Sequence, residues 1–182
     1  MKLRRLEELP SLLRGKKVVL ANGCFDILHV GHLRYLKGAR ALGQTLVVAI
    51  NSDQSMHLIK DAGRPILAEN ERVALVSSLR CVDYVVVFDE PDVSRVLDVL
   101  RPSVHAKGTD YTEQTVPERN QVASYGGAVR IAGDPKNHST RDIIETILEK
   151  AAAKRKGDSP QPQEKERKGD SPQPQEKGEE KP

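Results

Sequence analysis

A chain of 182 residues with 37% apolar, 30% charged and 3% aromatic residues, no Trp and two Cys has material for one domain with a core of ordinary size. Its longest apolar runs, such as Leu46 to Ile50 and Tyr84 to Phe88, are five residues, which excludes a bilayer-spanning helix of roughly 20 residues. Residues 1–150 carry 21 Lys plus Arg against 19 Asp plus Glu, too even a balance to bind nucleic acid or a membrane surface through net charge.

Taken in chain order, the charged and leucine-spaced stretch Met1 to Arg14 lacks the apolar centre of a secretory signal, so a cytoplasmic protein with reduced Cys24 and Cys81 is expected. Leu3, Leu6 and Leu9, with Leu12 and Leu13 after Pro10, predict a short broken helix closed by Gly15. Short β-branched runs predict strands at Val18 to Ala21, Leu46 to Asn51, Tyr84 to Phe88, Val104 to Ala106 and Ala128 to Ala132. Helices are predicted between them at Gly31 to Leu42, Asp53 to Ile59, Glu69 to Leu79, Val93 to Leu100 and Pro117 to Ser124, with Thr140 to Lys154 closing the body. This alternation predicts an α/β fold, a doubly wound parallel five-stranded sheet with helices on both faces. The division expected is a domain over 1–150 and, over 151–182, a helix extension and a tail. In that tail RKGDSPQPQEK occurs twice, from Arg155 and again from Arg167. Two copies without one large apolar side chain cannot offset the entropy of ordering, so disorder is expected there. The apolar strands and the first helix leave room for a homodimer.

In such a sheet ligands sit outside the carboxyl ends of the strands. After the first strand the chain reads Asn22-Gly23-Cys24-Phe25-Asp26-Ile27-Leu28-His29-Val30-Gly31-His32, and a helix follows. Glycine lets a backbone approach a ligand, and a helix start offers unpaired N–H groups to an anion. His29 and His32, three apart across that start, are able to face one spot. Neither GxxxxGK[ST] nor GxGxxG occurs in this loop, so the histidines need another explanation. Metal ligation is the weaker one, since His57, His105 and His138 are assigned to scattered loops, and a capped helix bearing surface histidines is the blandest. Phosphate handling accounts for the glycines as well.

NGCFDILHVGH resembles the first signature of the HxGH nucleotidyltransferases, and His138-Ser139-Thr140-Arg141 resembles their second. Ala49 to Asp53, Gly63 to Ile66, Glu71-Arg72, Val82 to Glu90 and Lys107 to Tyr111 are similar in order and spacing to the cytidylyltransferase-like branch, with its Rossmann-like fold. Within that branch they resemble the D-glycero-β-D-manno-heptose 1-phosphate adenylyltransferases. Two departures bear on base and sugar selection: Thr109 stands where the family shows a second glycine, and Arg141 where it shows threonine.

The resemblance implies that ATP, with Mg²⁺, lays its triphosphate over Gly23 to His32 while a sugar phosphate oxygen attacks the α-phosphorus in line and pyrophosphate leaves. His29 and His32 would donate to the phosphates, with Lys60 and Arg72 as further catalytic cations. Asn22, Gly23, Cys24, Phe25, Gly31, Lys107, Gly108, Asp110, Ser139, Thr140 and Arg141 would hold the nucleotide, and Asn51, Asp53 and Arg64 the second substrate. Several have a plainer alternative: Ser139 and Thr140 as a helix cap, Asn51 and Asp53 as turn residues, Arg72 as a surface ion pair. Asp26 is a candidate for Mg²⁺ or for bracing backbone, and no metal site is otherwise assigned. In this family the same domain can be fused to a sugar kinase, and with no kinase-sized segment in this sequence a separate kinase upstream is expected. A cytidylyltransferase acting on glycerol 3-phosphate and a nucleotide-binding module without turnover are the alternatives.

Overall fold

Strands apolar on both faces are stable only between two layers of helix. In the computed structural model, which describes residues 2–135 and 139–155, five such strands form one parallel sheet. They are β1 (Val18–Gly23), β2 (Thr45–Asn51), β3 (Tyr84–Phe88), β4 (Val104–Lys107) and β5 (Ala128–Ile131), in the order β3-β2-β1-β4-β5. The helices are α1 (Leu9–Leu12), α2 (Val30–Arg40), α3 (Asp53–Ile59), α4 (Glu69–Ser78), α5 (Ser94–Leu100), α6 (Arg119–Ser124) and α7 (Thr140–Arg155).

Strand alternation divides the core in two. Leu20, Val47, Ala49, Val86, Phe88 and Val129 point to one face, where α5 and α6 bring Val96, Leu97 and Val122. Val19, Ala21, Leu46, Val48, Val85, Val104 and Ala106 point to the other, against Leu36 and Ala39 of α2 and Val73 and Val76 of α4. A fully buried leucine such as Leu20 or Leu36 contributes roughly 2 kcal/mol by leaving water. The chain builds outward from β1 to β2 and β3, then returns past β1 to β4 and β5. Strand order therefore reverses between β1 and β4, and their carboxyl ends frame the crevice in which such sheets bind ligands.

The expected elements are all present, with shifted ends. β1 runs two residues further than its apolar run, since Asn22 pairs with Ala49 and Gly23 with Ile50. β4 gains Lys107 through its pairing with Ile131. The chain start departs more. Leu3 belongs to no helix: it bridges Val85, with Val85 N–H donating to the Lys2 carbonyl and Arg4 N–H to the Val85 carbonyl. Leucine spacing missed this because a backbone ladder on the open edge of β3 outweighs an unsupported helical turn. The helical turns begin only at Leu6, as a 3₁₀ turn over Leu6–Glu8 and then α1, with Pro10 in its first turn. His57 is a residue of α3 and His105 of β4, so neither lies on a loop.

The chain divides into two units, Met1–Thr146 and Ile147–Pro182, with the boundary inside α7. In the second, residues 147–155 are helical, and the repeat expected to be disordered falls at 156–182, outside the described residues. No helix among the described residues is long and apolar enough to cross a membrane.

Candidate active site

The loop leaving β1 is shaped by its own backbone. Phe25 and Ile27 both take positive φ, 51° and 55°, which costs a side-chain-bearing residue of order 1–3 kcal/mol and must be held by surrounding bonds. The space that Gly23 leaves open is filled by the Phe25 ring: a Cβ there would stand 3.2 Å from Phe25 Cε2. His29 is the N-cap of α2. Its Nδ1 accepts from Gly31 N–H at 3.1 Å, and His32 Nδ1 accepts from His29 N–H at 3.4 Å. The two rings stack at 3.9 Å between centroids. An Nδ1 that accepts carries no proton, so both imidazoles are held as neutral Nε2–H tautomers, each with its donor on the ring edge away from the backbone.

Asp26 is the anchor. It is 2% exposed, its carboxylate accepts from Ile66 N–H and Leu67 N–H, and it pairs with Arg64 Nε at 2.9 Å. Of the two roles expected for it, bracing backbone is the one the structure shows. With both oxygens so engaged Asp26 does not fit a metal ligand, and among the described residues no three His, Cys, Asp or Glu side chains cluster as a metal site would need. Arg64 is thereby turned onto Asp26.

Arg72, expected either at the phosphates or in a surface pair, is wholly buried. Its guanidinium donates to the carbonyls of Leu67, Cys24 and Asn51 and, at 2.7 Å, to Asp53 Oδ1. It thus ties α4 to the carboxyl ends of β1 and β2, a span that only a planar fork of donors covers. Asp53 also accepts from Glu69 N–H. Burial raises the Asp53 pKa, but the Arg72 hydrogen bond, that N–H and the charges of Arg72 and His57 outweigh it and leave the carboxyl below the ordinary range. Asn51 is buried and donates to Ser55 Oγ, while Ser52 caps α3. Cys24 Sγ lies 3.8 Å from Asn51 Oδ1. Burial raises its pKa against the pull of Lys60, Arg72 and Arg64, so the thiol stays protonated. Lys60 itself is exposed just past α3.

Across the crevice, β4 presents His105 and Lys107. Lys107 Nζ is 3.2 Å from Asn22 Oδ1 and 3.2 Å from Glu118 Oε1, with the Tyr111 ring 5.4 Å away. A lysine at a strand end was expected to meet phosphate, whereas this one is nearly enclosed and neutralised by Glu118. His105 Nε2 also meets Asn22 Oδ1, at 3.1 Å. Sequence reasoning missed His105 and Glu118. The one available signal was His105 in the same alternating register as Lys107, two residues on. A Cβ on Gly108 would meet nothing within 4 Å, and Asp110 is exposed.

The closing helix α7 reaches this loop. Thr140 Oγ1 donates to the Asp26 carbonyl at 2.8 Å. Ser139 caps the helix reciprocally with Asp142, as expected of a cap, and Arg141 is exposed. Thus the two segments that resemble the HxGH signatures, 114 residues apart between Asp26 and Thr140, meet at one hydrogen bond. His138 lies outside the described residues.

A cytidylyltransferase-like family model matches residues 20–151. The chain belongs to the cytidylyltransferase-like family. It is 47% identical over 154 residues to the bifunctional protein HldE of Syntrophotalea carbinolica, covering 82% of this chain and 31% of that protein. HldE of Pseudomonas paraeruginosa is 46% identical over 136 residues, covering 75% and 29%. The chain thus spans about a third of the length of these curated relatives. Among solved structures, a lipopolysaccharide core biosynthesis protein from Thermoplasma volcanium is 33% identical with a TM-score of 0.55, covering 64% of this chain and 94% of that one. The pantothenate synthetase of Thermus thermophilus shares the fold at 16% identity and a TM-score of 0.61, over 85% of this cytidylyltransferase-like chain and 72% of its own.

Proposed function

We propose that this nucleotidyltransferase joins AMP from ATP to a heptose 1-phosphate and releases pyrophosphate, supplying an activated sugar for lipopolysaccharide core assembly. The single observation that supports the transfer is the Thr140 to Asp26 hydrogen bond, which sets the start of α7 against the loop bearing the stacked His29 and His32. The choice of heptose and of ATP draws on the resemblance of NGCFDILHVGH and KGTDY to heptose 1-phosphate adenylyltransferases, and on the likeness to a lipopolysaccharide core biosynthesis protein.

The attacking oxygen belongs to a phosphate that is already anionic near neutral pH, so no general base is needed. The protein's task is alignment and charge neutralisation. The Nε2–H edges of His29 and His32 would donate to the triphosphate, joined by N–H groups at the start of α2. Lys60 would add positive charge from the rim, while Arg72 and Asp26 act through the loop they hold. Mg²⁺ enters as the counter-ion of ATP, with no protein ligand assigned. A kinase reaction must supply the sugar 1-phosphate.

The test is incubation with Mg²⁺, ATP or CTP, and heptose 1-phosphate, glycerol 3-phosphate or other phosphosugars, following pyrophosphate. Release with ATP and heptose 1-phosphate is expected. Turnover with CTP alone would replace this reading by the cytidylyltransferase, and nucleotide binding without turnover would replace it by a binding module.

A further inference from the structure

We propose that His105 and Lys107 are positioning residues that orient Asn22, so that its amide N–H₂ faces the crevice between β1 and β4 as a neutral donor to a phosphate oxygen of the bound substrate. The inference rests on the reading of the site as a nucleotidyltransferase centre and gives Asn22, which the resemblance already puts at the nucleotide, a defined donor atom and two side chains that aim it.

The orientation follows from donor chemistry. Lys107 Nζ can only donate, so the Asn22 atom 3.2 Å from it must be the amide oxygen. That fixes which end of Asn22 faces β4. His105 Nε2, 3.1 Å from the same oxygen, must then also be a donor. The imidazole is neutral, since burial and the Lys107 charge push its pKa down to about 3, and its one proton sits on Nε2. Two donors on Oδ1 turn Nδ2 to the opposite edge of the amide, where it makes no hydrogen bond among the described residues and is not sealed from solvent.

Two further observations point to a ligand. The cluster sits at the strand-order reversal, where open parallel sheets bind. The arrangement is also costly: His105 is wholly buried, yet its Nδ1 has no partner, and Glu118 Oε2 is likewise buried without one. Val104 and Ala106 on either side show what β4 holds when only packing matters. A histidine that strands one ring nitrogen to place the other on Asn22 is explained if the amide's orientation has a use. In a crevice built for polyanions that use is plain, because a flipped amide would present an oxygen and repel phosphate.

The test compares the full chain with Asn22→Asp, His105→Leu and His105→Gln. Calorimetric binding of ATP alone and of a sugar 1-phosphate alone is measured beside kcat, KM and melting temperature. Asn22→Asp keeps an acceptor for His105 and Lys107, so it should melt at or above the wild-type temperature. It replaces the donor by an anionic oxygen, so affinity for whichever phosphate ligand it faces should fall about tenfold to a hundredfold; the ATP arm and the sugar arm say which. His105→Leu should raise KM several-fold at nearly unchanged kcat, and His105→Gln, which restores a donor, should recover it. Wild-type affinity in Asn22→Asp, equal behaviour of the two His105 variants, or no binding of either ligand by the wild type would overturn the inference. Wild-type turnover restricted to CTP or to another phosphate would instead overturn only the substrate reading, since the variants are then compared with that ligand.

Discussion

The two walls of the crevice are held in opposite ways. On the α2 side, the imidazoles of His29 and His32 bond to backbone two and three residues away, so the chain shapes its own loop. On the β4 side, Asn22 is held by residues 83 and 85 positions distant, and Lys107 is paired to Glu118 across a loop and a helix start. The first wall is a local motif braced from behind by Asp26 and Arg72. The second exists only once β1 and β4 are in register. A fold built this way can lose one wall's geometry without losing the other's, and substitutions reveal which contact carries which wall.

The largest effect is expected at Arg72, whose removal attacks the brace behind the first wall. Arg72→Met leaves the Leu67, Cys24 and Asn51 carbonyls without their donor and Asp53 without its cation. Each buried acceptor costs ~1–3 kcal/mol, so a loss of about 3–5 kcal/mol is expected in urea unfolding. Arg72→Lys should recover little of it, because one ammonium cannot span four acceptors. A variant as stable as wild type would mean that the loop keeps its shape without the brace.

Next comes His29. As an N-cap it contributes about 1 kcal/mol to stability, whereas the phosphate-donor role proposed for it would govern rate. His29→Ala should lower turnover by on the order of 10²-fold or more while the melting temperature drops only a few degrees. Normal turnover would remove the first wall from the chemistry altogether.

The contrast between the walls also explains what the sequence discloses. The strands were legible because runs such as Tyr84 to Phe88 are too short and too β-branched for anything else, and α3 was legible to the residue. His29 and His32 were legible because three residues of spacing across a helix start fix their proximity. The partnership of Asn22 with His105 was not, since it depends on Ala21 facing Ala106 in a pairing that no local pattern encodes. Arg72 was found as a residue but not in its role: charge alone says nothing of burial, and its four acceptors come from three separate segments. Leu3 misled because leucine spacing cannot report an open strand edge nearby.

The smallest effect sharpens the comparison by isolating the second wall through pH. His105 has its folded pKa depressed to about 3 by burial, with Lys107 adding to the effect, whereas in the unfolded chain it titrates near its ordinary ~6.5. Between those values the unfolded chain binds a proton that the folded chain does not. Its contribution is therefore fully present above about 6.5 and is lost as pH falls toward 3, by at most ~1.4 kcal/mol per pH unit. His105→Leu removes that titration, so the stability difference between wild type and variant should shift against the wild type on acidification through this window. The Asp53 contribution vanishes only as pH falls below the ordinary carboxylate range, and it is common to both proteins, so it cancels in the difference. A difference that stays flat from pH 7 to pH 4 would show that His105 accepts a proton in place. Its Nε2 would then be a donor whatever Asn22 did, and the second wall would be open to water rather than set by β4.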